Sequence, residues 1–264
     1  MSTGALTVRL SNAGKHFRRV HEKPMLLREA VMLLSAKQQV DDLWAVRHLT
    51  FDLREGETLG ILGPNGSGKS TLLALVAGAA FPSEGTVSTR GRVSTLLAVG
   101  AGFNPDMTGE ENILASAGLL GIPVREARRL IPGIVAFAEL ESAIDTQSRF
   151  YSSGMLARLG FAIAINVSPD VLVVDEVLAV GDLSFMDKCT AEVKRLQSSG
   201  ITIVLASQSP MVVADFCTRA VWLEAGEIKM AGDPAAVGDA YQLAMTGSHV
   251  AEFAHPGGAD QRVD

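Results

Sequence analysis

The chain has 264 residues, and 23 Lys and Arg against 29 Asp and Glu leave a formal charge of −6. Hydrophobic residues at 47% and charged residues at 20% are the proportions of a folded globular protein, which excludes wholesale disorder. The acidic balance argues against a nucleic-acid surface, which needs a basic excess, but leaves room for a local phosphate site.

Residues 6–10 read as a short strand. From 18 to 42 the rhythm breaks. Pro24 is placed for a first helical turn, and Leu26, Leu27, Ala30, Val31 and Leu34 recur at helical spacing, predicting an amphipathic helix at about 24–40. That helix either faces a membrane partner or caps its own domain. Residues 50–53 and 57–62 predict strands, 72–80 a helix and 91–97 a strand. Residues 106–167 read as mainly helical, interrupted at Gly121-Ile122-Pro123 and Ile131-Pro132-Gly133. The runs 171–174 and 202–206 have the β-branched composition of strands buried on both faces. Helices are predicted at 185–198 and 211–216, and a hairpin at 221–230. Residues 247–264, rich in Gly, Pro, His and Asp, read as a flexible tail. Alternating strands and helices imply a mainly parallel α/β sheet.

Two cysteines, Cys189 and Cys217, are too few for a disulfide scaffold and suggest a reducing compartment. The apolar runs 72–81 and 159–167 are about half a membrane span, and the N-terminus lacks a signal-peptide run. A soluble intracellular chain is expected, touching a membrane only peripherally.

Gly63-Pro64-Asn65-Gly66-Ser67-Gly68-Lys69-Ser70-Thr71 fits G-x-x-x-x-G-K-[ST] between a predicted buried strand and a predicted helix. Such a loop turns successive backbone N–H groups inward, and the helix N-terminus adds positive potential, so the segment is a candidate phosphate cradle. Lys69 would reach the β- and γ-phosphates of a nucleotide, and Ser70 would offer its hydroxyl to Mg²⁺. Asp175 and Glu176 end the buried strand 171–174, at the sheet edge where α/β proteins bind ligands. Asp175 would hold Mg²⁺, and Glu176 would orient or deprotonate the attacking water. Ser152 reads as the N-cap of a helix over 156–167.

The string Tyr151-Ser152-Ser153-Gly154-Met155 lies 23 residues before Asp175 in Ser152's numbering, and with the phosphate loop it resembles the signature of ATP-binding-cassette (ABC) ATPases. Residues 100–112 (GAGFNPDMTGEEN), 151–162 and 175–189 (DEVLAVGDLSFMDKC) are similar to the ATPase subunits of O-antigen, capsule and teichoic-acid exporters, over roughly residues 5–245. The resemblance implies a P-loop NTPase fold: a RecA-like core with an antiparallel β subdomain and a helical signature subdomain at about 106–167. One ATP-binding domain would span 1–246. It implies ATP and Mg²⁺ as ligands and a head-to-tail homodimer in which Ser152, Ser153 and Gly154 cover the partner's ATP. It also implies integral membrane permease subunits, attachment to the cytoplasmic face of the inner membrane, and export of a lipid-linked glycan. Asp182 matches a loop residue that touches the partner subunit, and Phe17 matches the aromatic that stacks on adenine, with Trp44 as runner-up. Some relatives carry a further C-terminal sugar-binding domain; the nineteen residues after Met245 predict none here.

Two positions depart from the family pattern. Gln208, 33 residues after Asp175, stands where a His usually contacts the γ-phosphate, and Ala98 and Val99 stand near the usual Gln or Glu. Gln donates a neutral N–H and cannot become cationic, so slow hydrolysis with nearly normal ATP binding is expected. A nucleotide-gated assembly or regulatory protein with weak ATPase activity, or the ATPase of a different exporter, are the alternatives.

Overall fold

The computed structural model describes residues 4–20, 40–96, 102–175 and 182–253. Strands β1 (Leu6–Val20), β2 (Val40–Arg54) and β3 (Thr58–Leu62) precede helix α1 (Lys69–Val76) and strands β4 (Glu84–Thr89) and β5 (Val93–Thr95). Helices α2 (Gly109–Leu119), α3 (Val124–Ala138) and α4 (Ser153–Asn166) follow. Then come strand β6 (Val171–Asp175), helix α5 (Leu183–Ser198), strand β7 (Thr202–Ser207) and helix α6 (Pro210–Phe216). Strands β8 (Arg219–Glu224) and β9 (Glu227–Gly232) and helix α7 (Pro234–Phe253) complete the order.

The uncharged runs in β3 and β7 are buried at every position, as strands covered on both faces must be. They sit in the middle of a six-stranded sheet ordered β5-β6-β7-β3-β8-β9, parallel except for the β8–β9 hairpin. A second, antiparallel sheet has the order β2-β1-β4. One face of the parallel sheet packs with α1 against the antiparallel sheet, through Leu10, Leu49, Leu59, Leu72 and Val173. The other face carries α5, α6 and α7, with Phe185, Val213 and Val237. Helix α6 comes so close to β3 that a Cβ on Gly60 would lie 2.6 Å from Val213 Cγ1. Helices α2, α3 and α4 build a separate core around Ile113, Ile134 and Leu159.

The two-layer architecture, the helical segment and the β8–β9 hairpin match the sequence expectation, and four elements correct it. Residues 18–20 and 40–42, where the sequence rhythm breaks, extend the paired strands β1 and β2, and the helix predicted at about 24–40 falls almost wholly outside the described residues. Register shifts near Asn12, whose φ is 46°, break the alternation by which a 15-residue strand is recognised. Strand β4 is polar and half exposed, as an edge strand can be. Helix α3 runs straight through Pro132, because burial of Ala127 before it and Ile134 and Ala138 after it outweighs one lost hydrogen bond. Residues 247–253, read as tail, belong to α7, whose first turn is capped by Asp233 through Ala235 N at 3.0 Å.

Candidate functional site

Strands β6, β7 and β3 are neighbours, in register Asp175↔Ala206 and Leu62↔Ser207. Their carboxyl ends therefore deliver Asp175, Gln208 and the loop beginning at Gly63 to one edge of the sheet. Ser70 Oγ donates to Asp175 Oδ2 at 2.9 Å, across 105 residues of sequence. Gln208 Nε2 donates to Asn65 Oδ1 at 3.1 Å.

The loop is shaped by its glycines: a side chain would collide at Gly63 and Gly68, and Gly66 and Gly68 hold left-handed backbone. Gly66 has φ 78° and Gly68 φ 105°, and a Cβ on Gly68 would stand 2.5 Å from Ala45 O. A Cβ on Gly63 would stand 2.3 Å from Leu223 O. Gly226 N donates to Ser67 O at 3.0 Å, anchoring the loop to the β8–β9 turn. Gly68 is the N-cap of α1 with no side-chain cap, so the first amides of that helix are left for a ligand. Lys69, only 6% exposed, donates from Nζ to Gly63 O at 2.7 Å and Pro64 O at 3.0 Å. The ammonium is thus held by two loop carbonyls beside the uncapped start of α1, where a polyphosphate would find both charge and N–H donors. Pro64 and Asn65 complete the turn, with Asn65 on its exposed side, and Thr71 follows in the first turn of α1.

Ser70 and Asp175 offer oxygen donors of the kind Mg²⁺ selects. Mg²⁺ keeps several waters and takes phosphate oxygens, so two protein oxygens are enough to place it beside a bound nucleotide. Glu176, and with it Ala98 and Val99, lies outside the described residues.

The aromatic candidates lie on opposite faces of the antiparallel sheet, because β1 pairs His16 with Trp44 and, one residue on, Phe17 with Leu43. Phe17 is 50% exposed with Lys15 Nζ 5.4 Å from its ring. Trp44 is flanked by the Arg47 guanidinium at 4.3 Å and the His16 ring at 5.0 Å. Trp44 is next in sequence to Ala45, whose carbonyl abuts Gly68. Arg47 was not singled out from sequence, since nothing in its spacing announces that it stacks there.

The signature residues open α4 in the helical unit. Ser152 Oγ accepts from Met155 N at 3.2 Å, the cap expected from sequence. Ser152 and Ser153 are exposed, and the space around Gly154 holds only Ser152 Oγ at 3.8 Å. The 102–112 segment is pinned behind them by buried Asn112, whose Nδ2 donates to Asn104 O, Met107 O and Ser148 Oγ at 3.1–3.2 Å. Asp182 caps α5 through Phe185 N at 2.9 Å and accepts from Arg158 Nη2 at 2.6 Å, both within its own chain.

A phosphate loop, a Ser–Asp oxygen pair and a parallel sheet that brings them together define a P-loop nucleotide hydrolase. The profile of the family described as "ABC transporter" matches residues 46–179. The chain belongs to that family, as an ATP-binding, ATP-hydrolysing subunit. It is 45% identical over 222 residues to the "ABC transporter protein AbcA" of Aeromonas salmonicida, covering 83% of this chain and 72% of that one. It is 42% identical over 201 residues to the "O-antigen export system ATP-binding protein RfbB" of Klebsiella pneumoniae, covering 76% and 82%. It is 41% identical over 198 residues to the "Teichoic acids export ATP-binding protein TagH" of Bacillus anthracis, covering 75% of this chain but 36% of that longer protein. Among solved structures, a dimeric ATP-binding cassette bound to ADP and Pi superposes with TM-score 0.69 at 22% identity, covering 86% of this chain and 98% of the other. The ATP-binding subunit of an ABC transporter superposes with TM-score 0.72 at 18% identity, covering 91% and 99%. These likenesses confirm the fold.

Proposed function

We propose that this chain is the ATPase of an exporter that moves a lipid-linked polysaccharide of the O-antigen, capsule or teichoic-acid type across the cytoplasmic membrane. One observation carries the reading: identity of 41–42% over three quarters of the chain to proteins named for O-antigen and teichoic-acid export. The identity to those two proteins is well above that to the solved cassettes, 18–22%, which share the fold alone.

In this reading Lys69 and the amides of residues 66–71 hold the β- and γ-phosphates of ATP. Ser70 and Asp175 hold Mg²⁺, which when bound neutralises phosphate charge. Glu176 takes the proton of the attacking water, and Gln208, steadied by Asn65, donates toward the γ-phosphate. Phe17 or Trp44 stacks on the base. Electrostatic positioning supplies most of the acceleration. Ser152, Ser153 and Gly154 stand at an exposed helix start, in a different unit from the phosphate loop. That placement suits them to cover the ATP of a second, identical subunit in a head-to-tail dimer.

No helix among the described residues is long and apolar enough to cross a membrane. In this reading the translocation path belongs to a membrane permease. A cleft of about 190 Å³ between β5, α2 and α4, lined by Ser94, Ser116, Leu119 and Ile163, is open to receive a cytoplasmic element of that permease. Leu119 at its rim is 87% exposed. The chain is then peripheral, held at the cytoplasmic face through this contact. The test is to co-express the chain with the membrane protein encoded beside it. Co-purification and ATP turnover stimulated by the complex support the reading. A chain that binds ATP without turnover, alone and in the complex, is instead a nucleotide-gated assembly protein.

A further inference from the structure

One face of strand β1 looks onto the phosphate loop. Lys15 and Phe17 lie two residues apart on β1, so their side chains share a face, and His16 between them takes the other. On β2, Val46 stands opposite Lys15, Leu43 opposite Phe17 and Trp44 opposite His16. The register shift between Lys15 and His16 leaves Ala45 as an extra residue, so Val46 and Trp44 take opposite faces. Val46 identifies the face of Lys15: it is fully buried with Leu59 and Leu72, and a Cβ on Gly68 would stand 2.6 Å from its Cγ1. Lys15 and Phe17 are therefore on the side of the phosphate loop, and Trp44 is on the side away from it.

Lys15 brings a charge to that face. It is half-buried, its Nζ lies 5.4 Å from the centre of the Phe17 ring, and among the described residues no carboxylate forms an ion pair with it. Arg9 and Arg47 of the same sheet are paired, with Asp52 at 2.8 Å and Glu84 at 3.2 Å. A cation that has lost part of its hydration without gaining a carboxylate is one that an incoming anion stabilises. Along the face the order runs from Gly68 through Val46 and Lys15 to Phe17. The ammonium thus lies between the loop suited to the β- and γ-phosphates and a ring suited to a base. In a nucleotide those two ends are joined by the ribose and the α-phosphate, and of the two only the phosphate is an anion.

We propose that Lys15 is a further nucleotide-binding residue, whose ammonium takes the α-phosphate while Phe17 takes the base. A flexible four-carbon stem carrying three donors suits a phosphate approached as a point charge. The contact is the same before and during reaction at the γ-phosphate, so it tightens binding and leaves the chemical step alone. The inference rests on the ATPase reading. ATP binding and turnover by the parental chain test that reading, and the ratio of variant to parent tests Lys15.

The experiment titrates the full-length chain calorimetrically with ATP and with inorganic tripolyphosphate, which has three phosphates but no ribose or base, and follows ATP turnover in parallel. Losing one charge-assisted hydrogen bond in Lys15→Met weakens both ligands about tenfold and raises KM to match, with kcat changed less than about twofold. Lys15→Arg keeps the charge and brings both affinities back to within about threefold of parental. Phe17→Ala weakens ATP and leaves tripolyphosphate at its parental affinity. Parental tripolyphosphate affinity in Lys15→Met overturns the proposal, whether ATP is weakened or not, because the lysine then serves the ring or the ribose instead. A loss carried by kcat alone overturns it too, as does a loss that Lys15→Arg does not recover. If Lys15→Met fails to fold, Lys15→Gln decides between the same outcomes.

Discussion

Replacing Gln208 by His restores the side chain that the family pattern leads one to expect. Gln208 Nε2 bonds Asn65 Oδ1 at 3.1 Å on the open side of the phosphate loop. A neutral hydrogen bond of this kind contributes about 1 kcal/mol net, and a charge-assisted one about twice that. If the donor at 208 also meets the γ-phosphate as charge builds on it, an imidazolium adds about 1 kcal/mol to transition-state stabilisation, or about fivefold in kcat. The gain needs the charged ring, whose ordinary pKa is about 6.5. Steady-state ATP turnover of Gln208→His and parent, measured side by side from pH 6 to 8, should show a ratio near fivefold at the acid end that falls toward one. The KM for ATP should stay close to parental. A ratio of one throughout, or one that does not change with pH, refutes the assignment of Gln208 to the γ-phosphate.

Glu176→Gln should lower turnover by about 10²–10⁴ while ATP still binds, and parental turnover would remove Glu176 as the base. Gly68→Ala forces a Cβ to 2.5 Å from Ala45 O at φ 105° and should abolish retention of a fluorescent ATP analogue, with strain of about 1–3 kcal/mol lowering Tm. Gly78→Ala, at φ 72° with nothing within 4 Å, should cost about 1 kcal/mol and leave ATP binding intact. Burial pushes the thiols of Cys189 and Cys217 from 9.0 up to about 12. The fold therefore prefers both neutral: this contribution to stability is complete below pH 9 and is lost as pH rises from 9 to 12. Denaturant titrations should give a falling midpoint above pH 9, and neither thiol should react with an alkylating reagent at pH 8 until the protein unfolds. Rapid labelling of the native protein would contradict this.

How far the residues alone could be read depended on the range of the interaction. Strands β3, β6 and β7 announce themselves because a strand covered on both faces must be apolar throughout. The phosphate loop does so because its glycines stand at fixed spacing. Pairing of Ser70 with Asp175 was foreseeable once the phosphate loop and Asp175 were both placed at the carboxyl ends of strands in one parallel sheet. Strand β4 escaped because its burial is only partial, and β1 because its bulges disturb the period of two. Pro132 misled because tertiary burial of α3 outweighs a local rule. The bonds that Arg158 donates to Glu139 and Asp182 were out of reach: the partners lie 19 and 24 residues away, and no motif links them. Trp44 and Phe17 could not be ranked from sequence, and the structure sets them on opposite faces of the sheet, with Arg47 beside Trp44 and Lys15 beside Phe17.

The site's geometry is inherited from a ladder of backbone hydrogen bonds, since β6, β7 and β3 set the levels of Asp175, Gln208 and Gly63 relative to one another. Substitutions within these strands leave that alignment intact as long as the side chains still fit. Removal of a single residue does not: a one-residue slip turns every side chain of a strand to its opposite face. These strands are therefore places where evolution and engineering are free to exchange residues but not to insert or delete them.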